Sequence, residues 1–182
     1  MVGEPTNPEK VGEMIKIGRR GSLSLEILVK GKAGHVAYPH LANNPISKLL
    51  SICKTLDEIK FSKKSENFPT TNLEITSFDV DNKVTNVIPN MCKANLNIRY
   101  NPSYKEEELL KKIKEICKKV TEDYKIRVIS SNMPFYTKSK SYINLLIKAI
   151  RKNTNKKPKV STTGGTSDAR YIKDICPVIF YF

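Results

Sequence analysis

The sequence contains no run of eighteen apolar residues, no Cys-x-x-Cys pair, no internal repeat and no low-complexity tract. The first absence argues against a membrane-spanning helix, and no membrane partner is expected. Met1-Val2-Gly3-Glu4-Pro5 carries no apolar run behind basic residues, so no secretory signal is read there and a cytoplasmic setting is expected. The 4 cysteines (Cys53, Cys92, Cys117 and Cys176) are scattered and are expected to be reduced. Cys53 and Cys117 fall on helical apolar stripes, where a thiol acts as a small hydrophobe.

Acidic residues are also scarce: 18 Asp and Glu stand against 32 Lys and Arg, a formal charge of +14. A nucleic-acid reader concentrates such charge in a stripe. Here the lysines are dispersed and Asn and Ile are abundant, so the balance reads as a drift of composition. No nucleic-acid partner is expected.

With 182 residues, 39% of them hydrophobic, the chain can bury a core of one domain or somewhat more. Residues 22–30 are aliphatic and β-branched and read as a strand. A loop with two glycines and Pro39 follows. Pro45 opens a helix carrying Ile46, Leu49, Leu50, Cys53 and Leu56 at helical spacing. A strand over 72–80 alternates Leu73, Ile75 and Ser77 with Glu74, Thr76 and Phe78. Another over 91–100 alternates Ala94, Leu96 and Ile98 with Asn95, Asn97 and Arg99. Ser103 and Glu106 suggest a capping box for a helix with Leu109, Ile113, Ile116, Cys117 and Val120 on one stripe. Residues 124–130 close the series as a strand.

The fold class is α+β, a split β-α-β-β-α-β sandwich with both helices on one sheet face. Beyond Met133-Pro134 the pattern predicts a helix over 141–151, a loop over 162–167, a short helix from Asp168 and a buried strand over 178–182. Residues 1–20 and 133–182 are too short for a core of their own, so the chain reads as cut from a larger protein. The split sandwich is also the architecture of an RNA-recognition domain. Neither central strand has the aromatic string that such a domain uses for base stacking.

Five motifs occur in order: Gly3-Glu4-Pro5-Thr6, Gly18-Arg19-Arg20-Gly21-Ser22-Leu23, Gly34-His35-Val36-Ala37-Tyr38-Pro39-His40, Thr85-Asn86-Val87-Ile88-Pro89, and Thr162-Thr163-Gly164-Gly165-Thr166-Ser167-Asp168. Together they resemble the succinyl-diaminopimelate desuccinylases, amide hydrolases of the dinuclear-metal M20 metallopeptidase superfamily. Gly-His and Asn-Val-Ile-Pro mark the superfamily. The Gly-Arg-Arg-Gly-Ser-Leu, Ala-Tyr-Pro-His and Thr-Gly-Gly-Thr-Ser-Asp blocks narrow the resemblance.

The resemblance implies a lid or dimerisation domain over 21–132, inserted in a fragment of an α/β metallohydrolase catalytic domain (1–20 and 133–182). It implies hydrolysis of N-succinyl-diaminopimelate to diaminopimelate and succinate, on the route to lysine, in a homodimer acting on a small anionic substrate. It also implies two Zn²⁺ per site, with Co²⁺ as an alternative. Glu4 matches a terminal metal ligand. His35 matches an oxyanion donor that reaches the opposite subunit, with Asn86 assisting. Lys16, Arg19 and Arg99 match groups directed at substrate carboxylates, a task for which guanidinium geometry is suited. Gly165 and Thr166 match the lining of a carboxylate pocket, and Ser22 and Tyr38 match further contacts. A structural or surface role is expected for His40.

Asn90 and Ala169 stand where the family usually has glycine, which puts the local backbone in question. The His-x-Asp motif, bridging Asp, Glu-Glu pair and final His of the family are not among these residues. The chain alone is therefore expected to be inactive, its Met1 marking a broken gene, a start assigned too late or an expressed fragment. The alternatives are a non-catalytic dimerisation module and an acetylornithine deacetylase-like enzyme.

Overall fold

The computed structural model describes residues 6–165 and 167–181. In chain order the elements are β1 (Met14–Lys16), β2 (Gly18–Arg19), β3 (Gly21–Lys30), β4 (Gly34–His35), a 3-10 turn (Pro39–Leu41), α1 (Pro45–Asp57), β5 (Asn72–Asp79), β6 (Val87–Ile88), β7 (Met91–Tyr100), α2 (Glu106–Val120), β8 (Tyr124–Asn132), β9 (Phe135–Tyr136), α3 (Lys140–Thr154), β10 (Lys159–Ser161) and a 3-10 turn (Asp168–Tyr171).

Four strands form an antiparallel sheet in the order β5-β7-β3-β8. In β3 the side chains alternate, and Leu23, Leu25, Ile27 and Val29 are wholly buried. The same face receives Ala94, Leu96 and Ile98 from β7. Leu49, Ile52 and Leu56 of α1 and Leu109, Ile113 and Cys117 of α2 complete this core. Burying one such aliphatic side chain contributes about 1.5–3 kcal/mol, so this face is the main source of stability. The expected α+β sandwich is thus the observed one. Pro45 starts α1 behind Asn44, whose carboxamide oxygen accepts from the Ile46 N–H at 3.0 Å.

The structure corrects three local expectations. A bulge at Thr76 shifts the β5 register, so Phe78 lies opposite Ala94 and packs into the core. The capping box does not form: α2 begins at Glu106, Ser103 Oγ donates to the Lys64 carbonyl, and the Glu106 carboxylate accepts from Ser131 Oγ. Residues 178–181 make no strand, only a single antiparallel bridge between Phe180 and Lys16. Thr137 Oγ1 occupies both the N–H and the carbonyl of Val178, leaving them unavailable to a sheet partner. In addition β1 pairs in parallel with β10, a strand the sequence pattern did not predict.

The flanking segments hold two small apolar clusters. Ile15, Ile17 and Ile150 form one, and Ala169, Val178 and Phe180 the other. Among the described residues no helix is long and apolar enough to cross a membrane. All 4 cysteines are free; burial pushes the Cys92 thiol up to about 11 and the Cys117 thiol up to about 12.

Gly21 lies opposite Tyr100, and a Cβ added there would come within 2.3 Å of the tyrosine ring. Tyr100 is 1% exposed and cannot retreat. Gly21→Ala should therefore destabilise the chain by roughly 1–3 kcal/mol. Urea unfolding should show a lower midpoint with an unchanged slope; an unchanged midpoint would show that the ring has room.

Candidate functional site

The sequence-predicted residues fall into three groups. The first joins the start of the chain to its end. Lys16 is 6% exposed, and its Nζ donates to Thr163 Oγ1 at 2.5 Å and reaches Ser161 Oγ at 3.5 Å. Arg19 Nη1 donates to the Thr163 carbonyl at 2.6 Å, and its guanidinium stands 4.9 Å from the centre of the Phe180 ring. Gly164 adopts φ +109°, a left-handed conformation that favours glycine, and turns the loop beneath Arg19. A Cβ on Gly165 would meet nothing within 4 Å, so close packing is not what selects glycine there. Thr166, like Glu4, lies outside the described residues. Thr163, the meeting point of both cations, was not singled out from the sequence.

Burial lowers the Lys16 pKa, and the charges of Arg19 and Lys159 lower it further. Lys16 Nζ is held on the hydroxyls of Ser161 and Thr163, neutral acceptors that fix the cation without cancelling its charge.

The second group sits on the loop after β3. Strand β4 pairs with β6, which places His35 opposite Val87 and next to Asn86. The Val36 N–H bonds the Asn86 carbonyl at 3.0 Å. His35 Nδ1 accepts from the Ala37 N–H at 3.1 Å, so in the neutral ring the proton is on Nε2. That Nε2 is 3.5 Å from the Asn86 side-chain amide. The pair thus presents one N–H donor beside an amide. Tyr38 is exposed, its ring 6.0 Å from that of His35, and His40 stacks edge-on to Tyr38 at 6.4 Å. Two hydrogen bonds between Lys32 and Asn43, each 2.9 Å, close the base of the loop. Asn82, another residue not singled out from the sequence, braces the opposing segment by donating to the Val87 carbonyl at 2.9 Å.

The third group lies on the sheet face away from the helices, where Ser22 is only 4% exposed. Arg99 of β7 is flanked across the strands by Ser22 of β3 and Asn72 of β5. Asn97 Nδ2 donates to Ser22 Oγ at 3.1 Å and Ser24 Oγ at 2.8 Å. Both departures from the family pattern have simple backbone consequences. Neither Asn90 nor Ala169 needs positive φ, and Ala169 is buried with its N–H on Ser167 Oγ.

Among the described residues no three His, Cys, Asp or Glu side chains come together, so these residues alone do not make a metal site.

Residues 17–125 match the family model of the M20 peptidase dimerisation domain. The chain belongs to that family. It is 48% identical over 179 residues to a succinyl-diaminopimelate desuccinylase of Ehrlichia canis (strain Jake), and 45% identical over 183 residues to one of Pelagibacter ubique (strain HTCC1062). These alignments cover 98% of this chain but 47% and 48% of those proteins, so the chain spans about half the length of the curated relatives it matches. Among solved structures, the M20 family metallo-carboxypeptidase Sso-CP2 from Sulfolobus solfataricus matches with a TM-score of 0.78 at 15% identity, covering 98% of this chain and 54% of that one. Aminopeptidase PepT from Bacillus cereus matches at 0.74 and 17%, covering 98% and 47%. At such identities these structures speak for the fold.

Lys16 supplies a test of the first group. Its folded-state pKa lies below the ordinary 10.5, so between the two values the unfolded chain holds a proton that the folded chain releases. Stability contributed by this group therefore rises with pH across that window. Lys16→Met should remove that rise. Denaturation midpoints of the two proteins, compared at several alkaline pH values, should diverge from their neutral difference; a constant difference would place Lys16 in ordinary solvent.

Proposed function

We propose that the chain is the lid, with adjoining pieces of the catalytic domain, of a metal-dependent amide hydrolase acting in the cytoplasm. It would cleave the succinyl amide of N-succinyl-diaminopimelate to diaminopimelate and succinate, serving diaminopimelate and lysine synthesis. The observation that carries this reading is the convergence of Lys16 and Arg19 on Thr163, across 147 and 144 residues of sequence. Such a cluster suits a substrate rich in carboxylates.

In this reading 1–20 and 133–182 belong to the catalytic domain and 21–132 to the lid. Lys16, Arg19 and Arg99 attract the substrate carboxylates, and Ser22, Tyr38, Gly165 and Thr166 complete the binding surface. His35 donates its Nε2–H to the oxyanion that develops as the amide carbonyl is attacked, with Asn86 beside it. That bond strengthens as charge grows, so it favours the transition state over the ground state.

Glu4 is read as one ligand of a two-metal centre, with Zn²⁺ or Co²⁺ as the ions; these would polarise the amide carbonyl and activate water. One carboxylate cannot hold two metals ~3.5–4 Å apart. The remaining ligands are assigned to the rest of the longer protein, and this chain by itself is read as inactive. The family description of residues 17–125 also supports a second reading, a dimerisation module without catalysis. An acetylornithine deacetylase-like activity would differ in substrate alone. Nucleic acid is not the proposed partner, since the face of the central strands away from the helices carries Ser22, Ser24, Asn95, Asn97 and Arg99 in place of stacking aromatics.

The lid is read as a homodimer contact. Among the described residues no strand pairs with the outer edge of β8, where Val128 is 43% and Ile129 52% exposed. Light scattering of this chain should report a dimer at high concentration; a strict monomer from a folded sample would count against the contact.

In the full-length enzyme His35→Ala should lower kcat by about 10²–10³, with a smaller change in KM and unchanged metal content. Mixing His35→Ala subunits with subunits inactivated at Glu4 tests whether the histidine crosses the dimer. One site of each mixed dimer regains an intact metal centre and an intact histidine only if it does. Demonstrated subunit exchange without recovered activity would end the trans-acting role.

A further inference from the structure

Arg20 lies at the joint between β2 and β3 and has no part in the reading above. Its Nη1 donates to the Thr70 carbonyl and to Asn72 Oδ1, each at 2.8 Å. Asn72 is the cross-strand neighbour of Arg99, so the clasp brings Arg20 alongside that residue. Burial lowers the Arg20 pKa, and the nearby charge of Arg99 lowers it further. Among the described residues neither guanidinium has a carboxylate partner. Arg20 Nε and Arg99 Nη1 are both buried without a hydrogen-bond acceptor. The Glu74 carboxylate accepts from the Asn72 amide at 3.1 Å.

An unpaired buried donor loses the hydrogen bond that water would give it, and the loss is larger when the donor is charged. Two adjacent guanidiniums add mutual repulsion. A structural arginine clasp would need only one cation, already satisfied at Nη1. The arrangement gains most from a planar anion accepting from both forks, as a carboxylate does.

We propose that Arg20 and Arg99 form a two-guanidinium cradle that takes one carboxylate between them. This rests on the reading of Arg99 as a substrate group and adds Arg20 to it. In a succinylated amino-acid substrate that carboxylate is either the free end of the acyl chain or an α-carboxylate of the amine. The shared chemistry is bidentate anion recognition, for which Lys is a poor substitute.

The test uses this chain and needs no catalysis. Succinate and diaminopimelate are titrated separately at matched ionic strength, with chloride as the control. Binding is followed by calorimetry and by the arginine side-chain N–H signals. The wild-type chain should bind at least one probe saturably. Arg20→Gln and Arg99→Gln should each weaken it about tenfold or more. Arg20→Lys, which keeps the charge without the fork, should fall between. The double Gln variant should lose less than the sum of the single losses, because both groups hold one anion. Preference for succinate would assign the acyl carboxylate, and preference for diaminopimelate the amino-acid end.

A folded Arg20→Gln chain that binds within twofold of wild type would make Arg20 a strut for Thr70 and Asn72 and overturn the proposal. Wild-type binding of neither probe beyond chloride would do the same. If Arg20→Gln does not fold, Arg20→Lys decides: binding equal to wild type would overturn the cradle. The cradle can fail while a catalytic His35 stands, and it can bind an anion even if the full-length enzyme hydrolyses no succinyl amide, so the two readings fall separately.

Discussion

The register of β3 between its neighbours is the constraint on which the rest of the molecule depends. Its ten residues pair with the ten of β7 on one side, while β8 pairs along the other. Side chains in a strand alternate, so a slip of one residue would exchange Leu23, Leu25, Ile27 and Val29 for Ser22, Ser24, Glu26 and Leu28. The aliphatic row would then face solvent, and α1 and α2 would meet hydroxyls and a carboxylate. The same register places Arg99 between Ser22 and Asn72 and seats Gly21 against the Tyr100 ring. Core packing and the polar face are thus two results of one pairing. The dipeptide before β3 inherits its position from it, which brings Arg19 toward Thr163 and Arg20 toward Asn72.

Elements that repeat a period were legible in the sequence. Period-2 alternation located β5 and β7, aliphatic and β-branched content located β3, the series was closed by a strand at β8, and the apolar stripes with Pro45 located α1 and α2. What escaped depends on partners distant in the chain. Thr76 is followed by an ordinary serine, and only pairing with β7 shows that it is the extra residue of a bulge. The run ending at Phe180 reads as a strand by composition, yet the Thr137 hydroxyl takes the backbone groups of Val178. Lys159-Val160-Ser161 has no strand pattern and pairs because Met14–Lys16 lies alongside. At the candidate site, periodicity could not have joined His35 to Asn86, 51 residues away. Their association was suggested by resemblance, and the β4–β6 pairing supplies its geometry. Arg20 was quoted within a motif but carried no local sign of function; its unpaired nitrogen becomes visible only beside Arg99.

The placement of charge bears on what this surface is for. Several cations of the scaffold meet acids: Lys63 pairs with Glu108, Lys93 and Arg127 with Glu26, and Lys156 with Glu13. Such exposed pairs contribute little each, but they neutralise charge locally. Lys16, Arg20 and Arg99 are treated differently. Among the described residues no carboxylate meets them, and the bonds that Lys16 and Arg20 do make go to hydroxyl, carbonyl and amide oxygens. Neutral acceptors fix a cation in place without cancelling its field. A scaffold selected only for stability gains nothing from holding buried or half-buried cations in this state, and an introduced carboxylate would relieve it. Retaining them favours a transient anion over an internal partner. The overall charge of +14 alone cannot support that conclusion, since most of it lies in dispersed surface lysines. The distinction rests on which cations the fold both buries and leaves without a carboxylate, and Lys16, Arg20 and Arg99 lie on the segments that β3 and its neighbours hold in register.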